Sequence, residues 1–395
     1  MAPPADSTVW LVFLAKALRT FCYGYLAVVL PLHLATLGLG AGAIGLAIAA
    51  TLGASAGLTL LIGRSAERLG SRPVLVGLAA LVLVAGVLLA TARAPALIVL
   101  AAMLGNVALS GSDSGPFMSI EQVLVARAVA NDRLTLRMSL YNLVALVASA
   151  LGALVVAAVP GEGGYGLLFW LFALSGGVQA LLYARLPEAA ARVPAVGPRQ
   201  LPSRAFIYRV AALFALDSFA GGFVLQSLLA YWLHVRFGLT PGEIGAAFFA
   251  QQLLAACSLL IAARASRWLG LINTMVFSHL VSNGLLIAMG FAPTPALAVG
   301  LLLARALLSQ MDVPTRQAFL MLVVRDDERE AAATATNAGR TVAQAVSPAL
   351  TGYVMQAVSL SAPFVLGGVL KIVYDLLLYR TCRRAEAVIG RERAG

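Results

Sequence analysis

The chain has 395 residues, 61% of them hydrophobic and 11% charged, with a formal net charge of +11 and a mean hydropathy of +0.90. A soluble domain of this size carries roughly a quarter of its residues as charges, so the composition excludes one and points to a polytopic membrane protein. The positive charge excludes a nucleic-acid partner as well, because the arginines are parcelled out between apolar runs and not gathered on one solvated face.

The N-terminal stretch MAPPADSTVWLVFLAKALRTF has no basic segment ahead of its apolar run and no small-residue cleavage site soon after it. It reads as the first span and not as a cleaved signal. Apolar windows of roughly 20 residues, the length that crosses about 30 Å of hydrocarbon, fall at 10–34, 42–62, 73–92, 96–118, 134–159 and 164–186. After the Pro- and Arg-rich linker LPEAAARVPAVGPRQLPSR come 206–233, 241–262, 272–292, 296–320, 331–358 and 362–380. The expected fold is an all-α polytopic membrane protein with 12 transmembrane helices in two six-helix pseudo-repeated halves. Residues 1–186 form the first half, 187–204 a cytoplasmic linker, 205–381 the second half and 382–395 a cytoplasmic tail.

Arginines in the connections set the orientation. Arg64, Arg68, Arg72, Arg127, Arg133, Arg192, Arg264, Arg325 and the tail fall on one side, against Arg93 and Arg236 on the other. Both termini are therefore expected in the cytoplasm, with the chain multi-pass in the plasma (inner) membrane. The halves also repeat. GLGAGAIGLA at 38–47 matches GLTPGEIGAA at 238–247, and the same offset of 200 carries Arg64 onto Arg264 and Gly70 onto Gly270. Two parallel six-helix halves are a transporter plan.

The connection GRSAERLGSRPVL at 63–75 needs glycine for a tight turn and supplies a carboxylate and two guanidiniums able to pair with helix ends. It resembles the signature loop of the major facilitator superfamily, G-x-L-A-D-R-x-G-R-K/R-x-x-L. Gly63, Ala66, Arg68, Gly70, Arg72 and Leu75 fit, Glu67 replaces the Asp, and Ser65 and Ser71 depart. The resemblance implies the major facilitator fold, transport of a small-molecule substrate, and a cytoplasmic gate built from Gly63, Glu67, Arg68, Gly70 and Arg72. It also implies that helices 1, 2, 4, 5, 7, 8, 10 and 11 surround a central cavity while 3, 6, 9 and 12 sit outside. The family's drug/proton antiporters carry a Gly-Pro motif in helix 5; here that helix reads LVASALGALVV, without proline.

Charges inside the apolar windows mark the candidate site, since an ionised side chain at mid-bilayer costs about 2.5–3.5 kcal/mol or more. In ARALLSQMDVPTRQAF, residues 304–319, Arg305, Ser309, Asp312 and Arg316 are spaced to line one helical face. Asn106, Ser110 and Asp113 repeat that pattern at an offset of 199, with Pro116 and Pro314 following the acids. Lys16, Arg19 and Tyr23 on helix 1, Asp217 on helix 7, and Arg340 and Gln344 on helix 11 extend the set. Substrate contact is expected from Lys16, Arg19, Tyr23, Asn106, Asp217, Arg305, Arg340 and Gln344. Arginine stays charged, so a transported proton is expected on Asp113, Asp217 or Asp312. Arg316 either joins the cytoplasmic gate or pairs with Asp312 as a neighbour four residues on.

Other features read as structure. Lys371 and Asp375, four apart on helix 12, are expected to neutralise each other; His279 and Asn283 are expected to satisfy each other or a neighbour. His33 and His234 are expected at the interface, and GASAG at 53–57 is a small-residue motif suited to close helix contact. GEGGYG at 161–166 follows no strand and makes an outer loop, not a nucleotide site. Cys22, Cys257 and Cys382 lie too far apart for a metal or disulfide framework, and no cofactor is implied. The tally of Lys16, Arg19, Arg305 and Arg340 against Asp113, Asp217 and Asp312 leans toward an organic anion or zwitterion, moved by a proton-coupled monomer in the lipid bilayer. Proton-coupled efflux of amphipathic drugs is the alternative within transport. A membrane-embedded enzyme would need a metal cluster or an acid-rich motif, whereas RDDERE at 325–330 reads as a loop with helix N-terminal charges. A transporter-like receptor would be expected to lose the charges that this chain keeps.

Overall fold

The computed structural model describes residues 5–108, 115–128, 131–159, 162–187, 204–312 and 329–394. Its helices are α1 Ala5–Thr36, α2 Ala41–Leu69, α3 Ser71–Thr91, α4 Pro95–Leu104, α5 Pro116–Ala128, α6 Asn131–Val155 and α7 Tyr165–Ala184. There follow α8 Arg204–Gly221, α9 Gln226–Phe237, α10 Pro241–Leu269, α11 Leu271–Gly290, α12 Pro295–Ser309, α13 Arg329–Ala357 and α14 Ala362–Ala394. Among the described residues nine helical spans are long and apolar enough to cross a membrane. Three shorter apolar helices, Pro95–Leu104, Pro116–Ala126 and Pro295–Ser309, stand where the fourth and tenth spans were expected.

The sequence repeat is a structural repeat. α2 and α10 both run 29 residues, from positions 41 and 241, and α3 and α11 begin at 71 and 271. The glycines with positive φ in the described residues are Gly38 and Gly238, at 85° and 69°, and Gly70 and Gly270, at 89° and 81°. Each pair turns the chain at the same junction, where an L side chain would be strained. Thr240 and Glu243 add a reciprocal cap at the start of α10: Glu243 Oε2 accepts from the Thr240 backbone N–H at 2.8 Å, and Thr240 Oγ1 accepts from the Glu243 N–H at 3.3 Å.

Four expectations are corrected by where helices end or break. The segment 63–75 is not a loop: α2 stays helical through Leu69, Gly70 alone makes the turn, and α3 starts at Ser71. The fourth span is broken, because α4 ends at Leu104, Gly105 caps it, and Asn106 takes φ 50°. Asn106 therefore lies past the end of that helix, while Ser110 and Asp113 fall outside the described residues. α12 ends at Ser309 with Gln310 as its cap, so Asp312 lies past the helix that carries Arg305. The seventh span is also interrupted, by a 3-10 turn at Gly222–Val224 between α8 and α9.

Two compact units result, Met1–Ala195 with Leu225–Phe249, and Val196–Val224 with Ala250–Gly395. They differ from the halves 1–186 and 205–381, since α9 and the start of α10 pack with the first unit. In that unit α1 packs on α6, α7 and α9, and α3 on α7. Backbones come together where side chains are absent: a Cβ on Gly24 would meet the Ser149 carbonyl, one on Gly152 the Phe21 carbonyl, and one on Gly86 the Ala173 backbone. GASAG does not make such a contact, as Gly53 and Gly57 face open space. In the second unit α8 packs on α13 and α14, and α11 on α12 and α14.

The bundle is apolar outside as well as in. On α7, Leu167, Leu174 and Leu181 are exposed at seven-residue spacing, while Phe172, Gln179 and Tyr183 on the same helix are buried. An exposed apolar stripe backed by buried polar groups is what a lipid solvent selects.

Candidate functional site

Each unit encloses a cluster of charges contributed by several helices. In the first unit Arg19 on α1 meets Glu121 on α5 in a two-pronged ion pair: Nη1 donates to Oε1 at 3.0 Å and Nη2 to Oε2 at 2.8 Å. Nη1 also donates to the Tyr183 hydroxyl of α7 at 2.9 Å. The carboxylate takes two further donors, the Tyr141 hydroxyl of α6 on Oε2 at 2.6 Å and the Tyr183 hydroxyl on Oε1. Arg19 lies over the Phe117 ring, 4.3 Å from its centroid, and the Lys16 Nζ sits 3.7 Å from the centre of the Tyr141 ring. Arg19 and Glu121 side chains are 0% exposed, and Lys16 is 1% exposed. The fork geometry and the four donors on one carboxylate satisfy a charge pair that would otherwise be too costly to bury.

Arg19 was expected to face a substrate. The structure instead gives its guanidinium to Glu121, a residue the sequence reading passed over, along with Tyr141 and Tyr183. A signal was there: Glu121 sits in the apolar run PFMSIEQVLV. It was lost because the window for the fourth span assumed an unbroken helix and closed at 118, whereas the break at Asn106 pushes helical residues onward to Ala128.

In the second unit Asp217 on α8 accepts from the Lys371 Nζ of α14 at 2.7 Å. His279 on α11 has Nδ1 2.7 Å from Asp375 Oδ1 and Nε2 3.9 Å from Asp217 Oδ1. The Asn283 amide donates to Asp375 Oδ2 at 2.9 Å. All five residues are buried. The expectation that Lys371 and Asp375 neutralise each other on one helix is corrected: Lys371 reaches across to Asp217, and Asp375 serves His279 and Asn283. The expected satisfaction of His279 and Asn283 by a neighbour is met by Asp375.

Arg305, on α12 of the same unit, is half-buried and lies within electrostatic reach of Asp217. Its Nε is buried with no hydrogen-bond partner among the described residues. Arg340 and Gln344 on α13 are also half-buried, and Asp312 is buried. In the first unit Tyr23 and Asn106 are buried, Asn106 beside Gly115 and Ser55. Arg72 at the start of α3 is half-buried. Asp113 and Arg316 lie outside the described residues, as do the side chains of Glu67 and Arg68 and the surroundings of Gly63. His33 packs edge-on against Phe169, centroids 5.3 Å apart, and His234 is exposed with Nδ1 2.9 Å from the Leu239 carbonyl.

Long apolar helices, polar groups turned inward and an internal two-fold repeat define a polytopic membrane transporter. The Major Facilitator Superfamily model matches residues 12–308 and 211–395, and the chain belongs to that superfamily. It is a transporter and not an enzyme. It is 23% identical over 422 residues to an uncharacterized membrane protein of Saccharomyces cerevisiae, covering 95% of this chain and 94% of that one. Its fold is similar to that of a variant of the nucleoside transporter NupG, with TM-score 0.79, 13% identity, and 95% of this chain and 99% of the other covered. It is also similar to the human organic anion transporter MFSD10, with TM-score 0.66, 18% identity, and 95% and 100% covered.

Proposed function

We propose that the protein is a secondary active transporter that moves a small organic anion or zwitterion across the plasma membrane by alternating access, coupled to protons, with both termini in the cytoplasm. The observation that carries the anion reading is Arg305. Two of the charges in the sequence tally are taken up inside their own units, Arg19 by Glu121 and Asp217 by Lys371. Arg305 remains with a buried Nε that no described residue satisfies. A guanidinium with spare donors matches a carboxylate or phosphate oxygen pair, which restores the hydrogen bonds that burial removed. Arg340 and Gln344, half-buried on α13 of the same unit, are proposed to help hold the substrate. MFSD10, similar in fold, is named as an organic anion transporter, which is consistent with this charge balance.

The test is ligand binding. A thermal-shift screen of purified protein with organic anions, zwitterions and cations should find stabilising anions or zwitterions whose effect disappears in Arg305→Ala. A screen in which only cations stabilise, or in which Arg305→Ala responds as the unaltered protein does, contradicts the reading.

A further inference from the structure

We infer that His279, held between Asp375 and Asp217, is the proton-binding centre of the transporter. This rests on the proton-coupled reading above but moves the proton from an aspartate to an imidazole that the sequence pattern left as packing.

The geometry carries it. With Asp375 ionised its carboxylate only accepts, so at 2.7 Å the Nδ1 of His279 is the protonated nitrogen. In the neutral ring Nε2 then presents a lone pair toward Asp217 Oδ1 at 3.9 Å, two acceptors facing one another beyond hydrogen-bond length. A proton arriving on Nε2 turns that contact into a second charged donor–acceptor pair and leaves Nδ1 unchanged. The bond formed is Nε2–H, and no other bond breaks. His is the side chain whose ordinary charge change falls nearest neutral pH.

The surroundings fix the charge count. Facing the imidazole are Asp217 from α8, Lys371, Tyr374 and Asp375 from α14, and, acting through Asp217, Arg305 from α12; α11 itself contributes the neutral Asn283. Two carboxylates balance two fixed cations while His279 is neutral. A monoanion on Arg305 would leave one uncompensated negative charge in a buried region, and a proton on Nε2 restores the balance. Proton and anion therefore favour each other, and the linkage is reciprocal. The Asp217 carboxylate is the shared element, bonded to Lys371 on one side and lying within reach of His279 and Arg305 on the other.

The chain contains only three histidines, so nitrogen-15 NMR of histidine-labelled full-length protein in lipid nanodiscs resolves each ring. The His279 signals are assigned by their loss in His279→Gln. The expected result is conversion of the His279 ring from the neutral Nδ1–H form to the doubly protonated form as the pH is lowered over the range in which the protein stays folded. Because Asp217→Asn alone strands Lys371, the double variant Asp217→Asn/Lys371→Met is the companion, and its His279 ring should stay neutral across the same range. A His279 ring that keeps one protonation state throughout in the unaltered protein overturns the proposal, as does a ring that titrates identically in the double variant. Benzoate serves as the anion probe: its addition should raise the protonated fraction of His279 at pH 7, an effect absent in Arg305→Gln. Titration of His279 without any response to benzoate or to other anions supports the proton site and contradicts the anion reading, so the two fail separately.

Discussion

Arg19 and Glu121 lie 102 residues apart in the chain and meet through two parallel hydrogen bonds of 3.0 and 2.8 Å, with both side chains sealed from solvent. The pair, with Tyr141 and Tyr183, fastens α1, α5, α6 and α7 to one another. Removing one partner strands a buried charge, which costs about 3–5 kcal/mol in soluble proteins. Glu121→Gln should therefore lower the thermal unfolding midpoint of purified protein sharply, and the double variant Arg19→Met/Glu121→Leu should recover much of the loss. A Glu121→Gln protein as stable as the parent would show that the pair holds nothing together.

Lys371 and Asp217 provide a second test because the sequence suggests a different partner. A double-mutant cycle between Lys371→Met and Asp217→Asn should give a coupling of about 1–3 kcal/mol, within the range for residues in one charged network. The cycle between Lys371→Met and Asp375→Asn should give a smaller value. Equal or reversed couplings, read from unfolding curves, would restore the neighbour pair on α14.

Close helix approach separates two sets of glycines that look alike in sequence. Gly152→Val places a side chain against the Phe21 carbonyl, and overpacking of this kind costs typically about 1–3 kcal/mol and more where backbone must move. Gly53→Val, in the GASAG motif, meets open space and should leave the yield of monodisperse protein unchanged. Size-exclusion profiles of the two variants decide the matter, and matching profiles would count against the described packing of α1 on α6.

The twelve-span plan, the offset-200 repeat and the family were legible in the sequence because each rests on local composition or on glycine. Gly38, Gly70, Gly238 and Gly270 announced their turns, since positive φ selects that residue over all others. The charge partners were not legible. Apolar windows locate Arg19 and Asp217 in depth but do not say which face of which helix opposes them. Lys371 had a carboxylate four residues away that satisfied the pattern, although its bond goes to α8. Glu121 escapes a window that takes the fourth span as unbroken, because the helix ends before Asn106; the Gly, Ser, Asp and Pro cluster in ALSGSDSGP is the signal that could have marked the break.

Arg305 is the residue on which anion transport is proposed to turn. The direct measurement is uptake of radiolabelled organic anions, zwitterions and cations into proteoliposomes holding the purified protein, with and without an imposed pH gradient. Anions or zwitterions should enter faster than into empty liposomes, driven by the gradient, and this uptake should be lost in an Arg305→Ala protein that inserts and unfolds as the parent does. Undiminished uptake by Arg305→Ala, or uptake confined to cations, would contradict the proposal.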